Sequence, residues 1–167
     1  MRMELETKRL RIRYFRKDDL PTYAKIVADP DVMKFVGGPQ TMSDAADYLA
    51  EMIRLSQTRG LGRYAVETKD SQSLIGFCGF RPAGRYIDFG YRYAKDSWGK
   101  GLGIEAAVAV RKYGLEALGM KNMEAGAAVE NAASIRILDK LNFKFREELI
   151  FDGYPAIRYR DNKISDT

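Results

Sequence analysis

The clearest hydrophobic pattern in the chain is the alternation in YIDFGYRYA, residues 86–94. Apolar or aromatic side chains occupy every second position, and polar or small residues lie between them, which is the period of a half-buried strand. One face of this predicted strand carries Asp88, Gly90 and Arg92. The opposite, aromatic face carries Ile87, Phe89, Tyr91 and Tyr93.

Periodicity, turn residues and cap residues divide the rest of the chain into further elements. The predicted strands cover residues 8–15, 63–68, 73–80, 86–94, 122–128, 143–151 and 156–161. The predicted helices begin at Asp18 or Asp19 and end near Ala28, begin at Thr41 or Ser43 and end before Gly60, cover residues 101–118 before Gly119, and begin at Asn131 or Ser134 and end near Leu141. Proline and paired glycines predict a loop for DPDVMKFVGGPQ, residues 29–40.

The order of these elements indicates the fold class. Short turns in KDSQS and RPAGR join the three middle strands, so these strands are antiparallel. Helices occur both before and after them, which predicts a mixed α/β sheet, and a uniform series of parallel units does not fit. A length of 167 residues allows one sizeable core, so we expect a single domain over residues 1–167.

Composition narrows the chemistry. No apolar run approaches the roughly 18 residues of a membrane span, and the N-terminus opens on charged residues rather than a secretory signal. We therefore expect a cytoplasmic protein without a membrane partner. The chain has no histidine, which excludes Ser-His-Asp and Cys-His catalysis. Its one cysteine, Cys78, lies in the apolar run LIGFCGF and is predicted to be buried and unreactive.

The net charge of +5 at pH 7 suggests a polyanionic partner without naming it. The densest basic cluster is KRLRIRYFRK at residues 8–17, in which arginines alternate with apolar residues. Such alternation is typical of a strand with one solvated face. We therefore do not expect a nucleic-acid partner.

The segment DSWGKGLGIEA, residues 96–106, places closely spaced glycines and a lysine ahead of an apolar helical run. A Walker A loop requires Ser or Thr after its lysine, whereas Gly101 follows Lys100. Gly101, Gly103 and Ala106 satisfy a dinucleotide fingerprint, but the preceding strand belongs to a hairpin and no well-placed acid follows. Glycines at a helix N-terminus let successive amides face one anion, which favours a pyrophosphate site.

Together with DFGYRYAKDS upstream and NAASIRILDKLNF downstream, WGKGLGIEA resembles the GNAT superfamily of N-acetyltransferases, in its ribosomal-protein alanine acetyltransferase (RimJ/RimL) branch. The resemblance implies a mixed, mostly antiparallel sheet of six to seven strands flanked by about four helices. It also implies an acetyl-CoA-dependent transfer, without a metal, to a primary amine by direct attack through a tetrahedral intermediate. The acceptor would be a protein N-terminus or a small-molecule amine, and the chain a monomer or homodimer.

The resemblance locates the acyl donor on particular residues. Backbone amides from Lys100 to Ile104 would hold the coenzyme A pyrophosphate, and Asn131 would hydrogen-bond the pantetheine arm. The strand residues 91–93 would pair with that arm like an added strand and offer amides to the oxyanion. The full predicted cofactor-binding set is Tyr91, Arg92, Tyr93, Trp98, Gly99, Lys100, Gly101, Leu102, Gly103, Ile104, Asn131 and Ser134.

The catalytic groups follow less directly, because Leu138 replaces a tyrosine that is frequent in the superfamily. Ser134, one helical turn after Asn131, is then the candidate acid for the departing thiolate, with helix capping as its alternative role. Asp88 and Glu105 are the candidates for the base. Their alternatives are a solvated strand position for Asp88 and a favourable helix-dipole interaction for Glu105.

Three further expectations follow. Leu138 leaves open a noncatalytic acyl-CoA sensor of the same fold as an alternative to the enzyme. Acceptor specificity is expected in residues 33–40, the second helix and the hairpin at residues 152–155. Asn142 occupies a position that is usually glycine, and because asparagine tolerates a left-handed conformation we expect the turn to persist.

Overall fold

One mixed sheet of eight strands forms the centre of the protein. The structure is a computed structural model and describes residues 3–163, so residues 1–2 and 164–167 of the predicted domain lie outside it. The strands are β1 (Glu4–Glu6), β2 (Leu10–Arg13), β3 (Arg63–Thr68), β4 (Leu74–Ala83), β5 (Tyr86–Tyr93), β6 (Met123–Ala128), β7 (Phe143–Phe151) and β8 (Tyr154–Asp161). Their order is β1-β2-β3-β4-β5-β6-β8-β7, and every neighbouring pair is antiparallel except β5 and β6.

Five α-helices accompany this sheet within residues 3–163. They are α1 (Leu20–Ala28), α2 (Pro30–Met33), α3 (Met42–Arg59), α4 (Leu102–Glu116) and α5 (Ala132–Lys140). Helices α1 and α3 pack together on one face of the sheet, and α4 and α5 pack on the other. The mixed, mostly antiparallel fold class predicted from the sequence is confirmed.

Two elements correct the prediction. The sheet has eight strands rather than six to seven, because the short polar strand β1 pairs with β2 without any apolar alternation that would reveal it. Helix α2 makes a fifth helix inside residues 29–40, which the sequence predicts to be a loop. It forms because Pro30 occupies the first helical position and the Asp29 side chain accepts a hydrogen bond from the Asp31 N–H.

The caps of α3 and α5 occur where the sequence predicts them, whereas Asp19 at the start of α1 makes no side-chain cap and pairs with Arg13 instead. At the start of α3, the Asp44 N–H donates to Thr41 Oγ1 at 3.1 Å, and the Thr41 N–H donates to the Asp44 carboxylate at 2.9 Å. At the start of α5, Asn131 Oδ1 accepts a hydrogen bond from the Ser134 N–H at 3.2 Å. Asn142 follows α5 with φ +64°, which confirms the expected left-handed turn.

The sheet separates two apolar cores. The core beneath α4 and α5 includes Leu10, Tyr64, Phe80, Phe89 and Phe143. The core beneath α1 and α3 includes Tyr23, Met33, Leu49, Met52 and Phe77. Because the side chains of β5 alternate, its aromatic face enters the first core and its polar face is directed towards the second. The two faces of this strand therefore lie in different chemical surroundings.

Strands β5 and β6 are paired only at their beginnings. Ile87 lies opposite Met123 and Asp88 lies opposite Glu124, and their parallel pairing ends there. The later residues of each strand remain hydrogen-bonded on the outer side, to β4 and to β8. We call the resulting gap between β5 and β6 the wedge. Its walls are backbone edges without a strand partner.

A buried arginine crosses the sheet on the α1 and α3 side. Arg63 of β3, Gly79 of β4 and Gly90 of β5 lie in line across the strands. The Arg63 guanidinium occupies the space above Gly90, where an added Cβ would lie 2.8 Å from Cζ. Arg63 donates to the carbonyl oxygens of Gly79 at 2.7 Å and Asp88 at 2.8 Å, and pairs with the Asp88 carboxylate. Gly90 therefore leaves room for a cation to lie flat on the sheet.

The substitution Gly90→Ala tests this crossing. The new methyl group displaces the guanidinium from Asp88, so overpacking and a weakened ion pair together predict a loss of about 2 kcal/mol in the free energy of unfolding. Urea denaturation followed by circular dichroism measures that loss. Gly126→Ala on β6 is the matched control, because the nearest atom to its added Cβ is 4.0 Å away. Equal losses in the two variants would contradict the proposed packing.

Candidate functional site

The glycine loop joins β5 to α4 through a 3-10 turn at Lys95–Ser97 and two left-handed glycines. Gly99 has φ +73° and Gly101 has φ +76°, a conformation that other residues adopt at a cost. The Trp98 indole N–H donates to the Tyr93 carbonyl at 2.9 Å and ties the loop to β5. Gly101 is the N-cap of α4 and offers no side-chain cap. The first amides of α4 therefore lack helical partners, and the helix dipole makes this end attractive to an anion.

Arg9, between β1 and β2, holds the loop in position. Its Nη1 donates to the Lys100 carbonyl at 2.8 Å and its Nε donates to the Glu105 carboxylate at 2.7 Å. Glu105 also accepts a hydrogen bond from Thr7 Oγ1 at 2.6 Å. Burial alone would raise the pKa of Glu105, but the hydrogen bonds from Thr7 and Arg9 lower it. Glu105 does not line the two cavities described next, so its contacts favour a role in anchoring the loop.

Alternation along β5 directs every second amide into the wedge. The Ala94 N–H donates to β4 at 2.7 Å, whereas the Ile87 N–H donates to the opposite side, also at 2.7 Å. Because the two directions alternate along an antiparallel strand, the amides of Phe89, Tyr91 and Tyr93 share the direction of Ile87. Beyond the last pair of β5 and β6, Asp88 with Glu124, the amides of Tyr91 and Tyr93 have no strand partner in the wedge, so they can bind a ligand that enters it.

A cavity of about 980 Å³ lies where the wedge, the glycine loop and α5 meet. We call it the donor cavity. All of the predicted cofactor-binding residues except Lys100 line it, namely Tyr91, Arg92, Tyr93, Trp98, Gly99, Gly101, Leu102, Gly103, Ile104, Asn131 and Ser134. Lys100 is exposed, and its carbonyl is bound by Arg9. Residues from β5, the loop and α5 are thus brought together around one space.

The hydroxyl groups of Ser134 and Tyr91 are hydrogen-bonded beside the donor cavity. The Tyr91 hydroxyl donates to the Ser134 carbonyl at 2.7 Å, and Ser134 Oγ donates to Tyr91 Oη at 3.1 Å. Burial raises the pKa of Tyr91, so its phenol stays protonated. The cap of α5 is Asn131, which leaves the Ser134 hydroxyl free of that role. Leu138 is 1% exposed within the core and cannot replace a tyrosine hydroxyl.

A second cavity, of about 610 Å³, lies on the polar side of β5. We call it the acceptor-side cavity. Asp88, one of the predicted catalytic residues, lines it together with its partner Arg63. The two cavities share Phe35, Val36, Tyr91, Arg92, Asn131 and Ser134, so they meet at the wedge.

Several lining residues of the acceptor-side cavity are missed by sequence reasoning. Arg63 and Arg81 come from separate strands, and each alone is an ordinary polar residue, whereas Gln40 lies within residues 33–40, where acceptor specificity is expected. For Arg63, the available signal is the glycine inside β5, because a strand interior seldom favours glycine. For Arg81 the sequence carries no such signal. The Tyr91 hydroxyl is also missed, since the alternation indicates only an aromatic face.

Two other kinds of chemistry would need a reactive cysteine or a metal site. Cys78 is fully buried, and burial raises the pKa of its thiol to about 12, which supports the predicted structural role. Within residues 3–163, no group of three or more His, Cys, Asp or Glu side chains is arranged to bind a metal ion. None of the helices described over the same residues is long and apolar enough to cross a membrane.

Comparison with known proteins agrees with this geometry. Residues 9–144 match the acetyltransferase (GNAT) domain family. The uncharacterized N-acetyltransferase p20 of Bacillus licheniformis is 32% identical over 158 residues, covering 91% of this chain and 88% of that protein.

Solved structures of ribosomal-protein acetyltransferases share the fold. RimL, a ribosomal L7/L12 alpha-N-protein acetyltransferase in complex with coenzyme A, superposes with a TM-score of 0.81 at 15% identity, covering 95% of this chain and 97% of RimL. The ribosomal-protein-S5-alanine acetyltransferase of Vibrio fischeri superposes with a TM-score of 0.80 at 16% identity, covering 98% and 99%. The resemblance to the GNAT superfamily found in the sequence is confirmed, and the chain belongs to the GNAT family of acetyltransferases.

Proposed function

We propose that the protein is an acetyl-CoA-dependent N-acetyltransferase of RimJ/RimL type that acts on a primary amine. The observation that carries this proposal is the wedge, which opens directly beside the uncapped N-terminus of α4. An extended arm that ends in a pyrophosphate fits both features, because a strand edge can pair with the arm and the helix amides can bind the phosphates. The coenzyme A complex of the structurally similar RimL supports this assignment.

The residues of the donor cavity fit coenzyme A in chemistry as well as in shape. The amides at residues 101–104 would bind the pyrophosphate, with the positive charges of Arg9 and Lys100 nearby. The wedge amides of Tyr91 and Tyr93 would bind the arm. Asn131 uses its side-chain oxygen to cap α5, and its amide nitrogen has no hydrogen bond among the described residues, so that nitrogen can donate to the arm. When bound, acetyl-CoA supplies an acetyl group that is already activated as a thioester.

The chain's own groups then meet the remaining needs of acyl transfer. Amides of β5 that face the wedge would stabilise the negative charge that develops on the carbonyl oxygen. The Ser134 hydroxyl, which donates to Tyr91 Oη, would turn its proton to the leaving thiolate. The Tyr91 hydroxyl, which donates to the Ser134 carbonyl, would then turn to Ser134 Oγ and return a proton, and solvent would reprotonate Tyr91.

Asp88 is the candidate for the base that receives the amine proton. Of the two predicted carboxylates, it lines the acceptor-side cavity, whereas Glu105 is bound by Thr7 and Arg9 outside it. The Asp88 side chain is 31% exposed, so water can relay the proton from a bound amine. Its pairing with Arg63 fixes the position of the carboxylate.

Thiol release tests the proposed function. The purified protein is mixed with acetyl-CoA and a panel of primary amines, and the free thiol of coenzyme A is measured with a chromogenic disulfide. We expect release that depends on the presence of an acceptor. Tight binding of coenzyme A without acceptor-dependent release would instead identify a noncatalytic acyl-CoA sensor.

Gly101→Ala is expected to weaken coenzyme A binding by about tenfold. An alanine in the left-handed conformation costs about 1–2 kcal/mol, and the loop would relieve this cost by a shift that moves its amides. Gly119→Ala is the matched control. Its φ of +61° is similar to that of Gly101, it follows the other end of α4, and nothing lies within 4 Å of its added Cβ. Isothermal titration calorimetry measures both affinities. Equal affinities in the two variants would argue against a pyrophosphate site at the loop.

Ser134→Ala is expected to lower kcat by about 10- to 100-fold, because the thiolate loses its proton donor. Affinity for coenzyme A, measured by calorimetry, should persist because Asn131 still caps α5. Ser56→Ala is the control, since Ser56 lies in α3 and bonds the Ile53 carbonyl at 2.7 Å, away from both cavities. An unchanged kcat in Ser134→Ala would contradict the role of Ser134 as the acid that protonates the thiolate.

A further inference from the structure

The acceptor-side cavity is lined by more cationic than anionic side chains. Its charged residues are Arg63, Arg81, Arg92, Arg158, Asp88 and Asp152. Two of the arginines are neutralised, Arg63 by Asp88 and Arg158 by Glu147 at 2.5 Å. Within residues 3–163, no carboxylate lies within ion-pair distance of Arg81 or Arg92. The cavity therefore has a positive surplus on the side where the acceptor must enter.

Arg92 is the more informative of these two arginines, because it lines both cavities and is half-buried. Its guanidinium lies over the Phe77 ring, 5.1 Å from the centroid. Burial lowers the pKa of Arg92, although a guanidinium remains protonated at neutral pH. The nearby Tyr23 hydroxyl interacts with it electrostatically but has no hydrogen-bond partner of standard geometry. A cation held in this way is stabilised by an anion that arrives with a ligand.

Other polar atoms around the cavity are also unsatisfied. Gln40 Oε1 and Arg63 Nε are buried without hydrogen-bond partners, and both residues line the cavity. An unpaired oxygen accepts a hydrogen bond from an amine, and an unpaired N–H donates to an anion. Since buried polar groups in folded proteins are almost always paired, this set is typical of a site that a polar ligand completes.

Resting on the proposed function, we infer that the acceptor is a small amino acid-like molecule, whose carboxylate binds Arg92 while its primary amine lies at the junction of the two cavities. The junction also contains Ser134 and Tyr91, so the amine would be presented where the acetyl group is transferred. A volume of about 610 Å³ accommodates a molecule of this size. A polyamine or a polycationic antibiotic fits poorly, because its extra positive charges would face Arg81 and Arg92.

Matched acceptors test the charge requirement. Phenylalanine and methionine are compared with their amides, with the corresponding decarboxylated amines and with a short peptide that has an uncharged N-terminal residue. We expect kcat/KM to be about 10- to 100-fold higher for the free amino acids, the range of a charge-assisted hydrogen bond. The amides are the stringent comparison, because their amines lose a proton more readily and would react faster if the carboxylate were irrelevant.

Arg92→Gln should abolish this preference by raising KM for the amino acids, so that the ratio of kcat/KM between acid and amide falls to about one. Arg92→Lys, which retains the charge, should restore part of it. Arg59→Gln, at the exposed end of α3, is the matched control and should keep the full ratio.

The outcomes separate the inference from the proposed function. Three results would overturn the carboxylate site and leave the proposed acetyltransferase activity intact. They are equal thiol release with acids and amides, the greatest release with the peptide, and an unchanged preference for acids in Arg92→Gln. No acceptor-dependent release with any amine would contradict both.

Discussion

The separation of strands β5 and β6 after their first residues is the constraint on which the rest of this structure depends. Two residue pairs join the strands, and the edges beyond them would be an energetic liability if nothing paired with their amides and carbonyls. The Trp98 indole N–H satisfies one of these backbone groups by donating to the Tyr93 carbonyl. On the α5 side, the Tyr91 hydroxyl donates to the Ser134 carbonyl and joins α5 to β5. The remaining amides can bind a ligand, which explains why the helix N-terminus, the hydroxyl pair and both cavities converge there.

The same strand separates the two halves of the proposed reaction. On its aromatic side, ligand contacts would come largely from backbone amides, whose direction follows from strand alternation and from two left-handed glycines. On its polar side, ligand contacts would come from side chains whose charges are balanced only in part. Arg63 and Asp88 neutralise each other across Gly90, whereas Arg92 stacks on Phe77 and has no carboxylate among the described residues. In the proposed reaction, donor binding would therefore depend on the direction of backbone amides and acceptor choice on side-chain charge.

This difference also explains how far the sequence could predict the structure. Helix caps at Thr41 and Asn131, the turn at Asn142 and the alternation in β5 are local signals, and each has the predicted form. Strand β1 carries no pattern of its own and forms because β2 offers an edge, so local reasoning misses it. Helix α2 is missed for the opposite reason, because Pro30 indicates a loop as readily as a first helical turn.

For the candidate site, the donor half could be predicted because glycines and a helix start are contiguous in sequence. Of the acceptor half, residues 33–40, helix α3 and residues 152–155 are indicated by the sequence and contribute Gln40, Tyr48 and Asp152 to the cavity. Arg63 and Arg92 could not be placed there, because they belong to different strands and are brought together by the sheet register. Glu105 shows the converse, since a carboxylate adjacent to the loop in sequence is engaged by Thr7 and Arg9 on its outer side. Residues that are adjacent in sequence can therefore identify a site that binds through backbone amides. A site that binds through charged side chains has to be located from the contacts of those side chains in the folded protein. Arg92 is informative because the fold provides it with no anionic partner within residues 3–163.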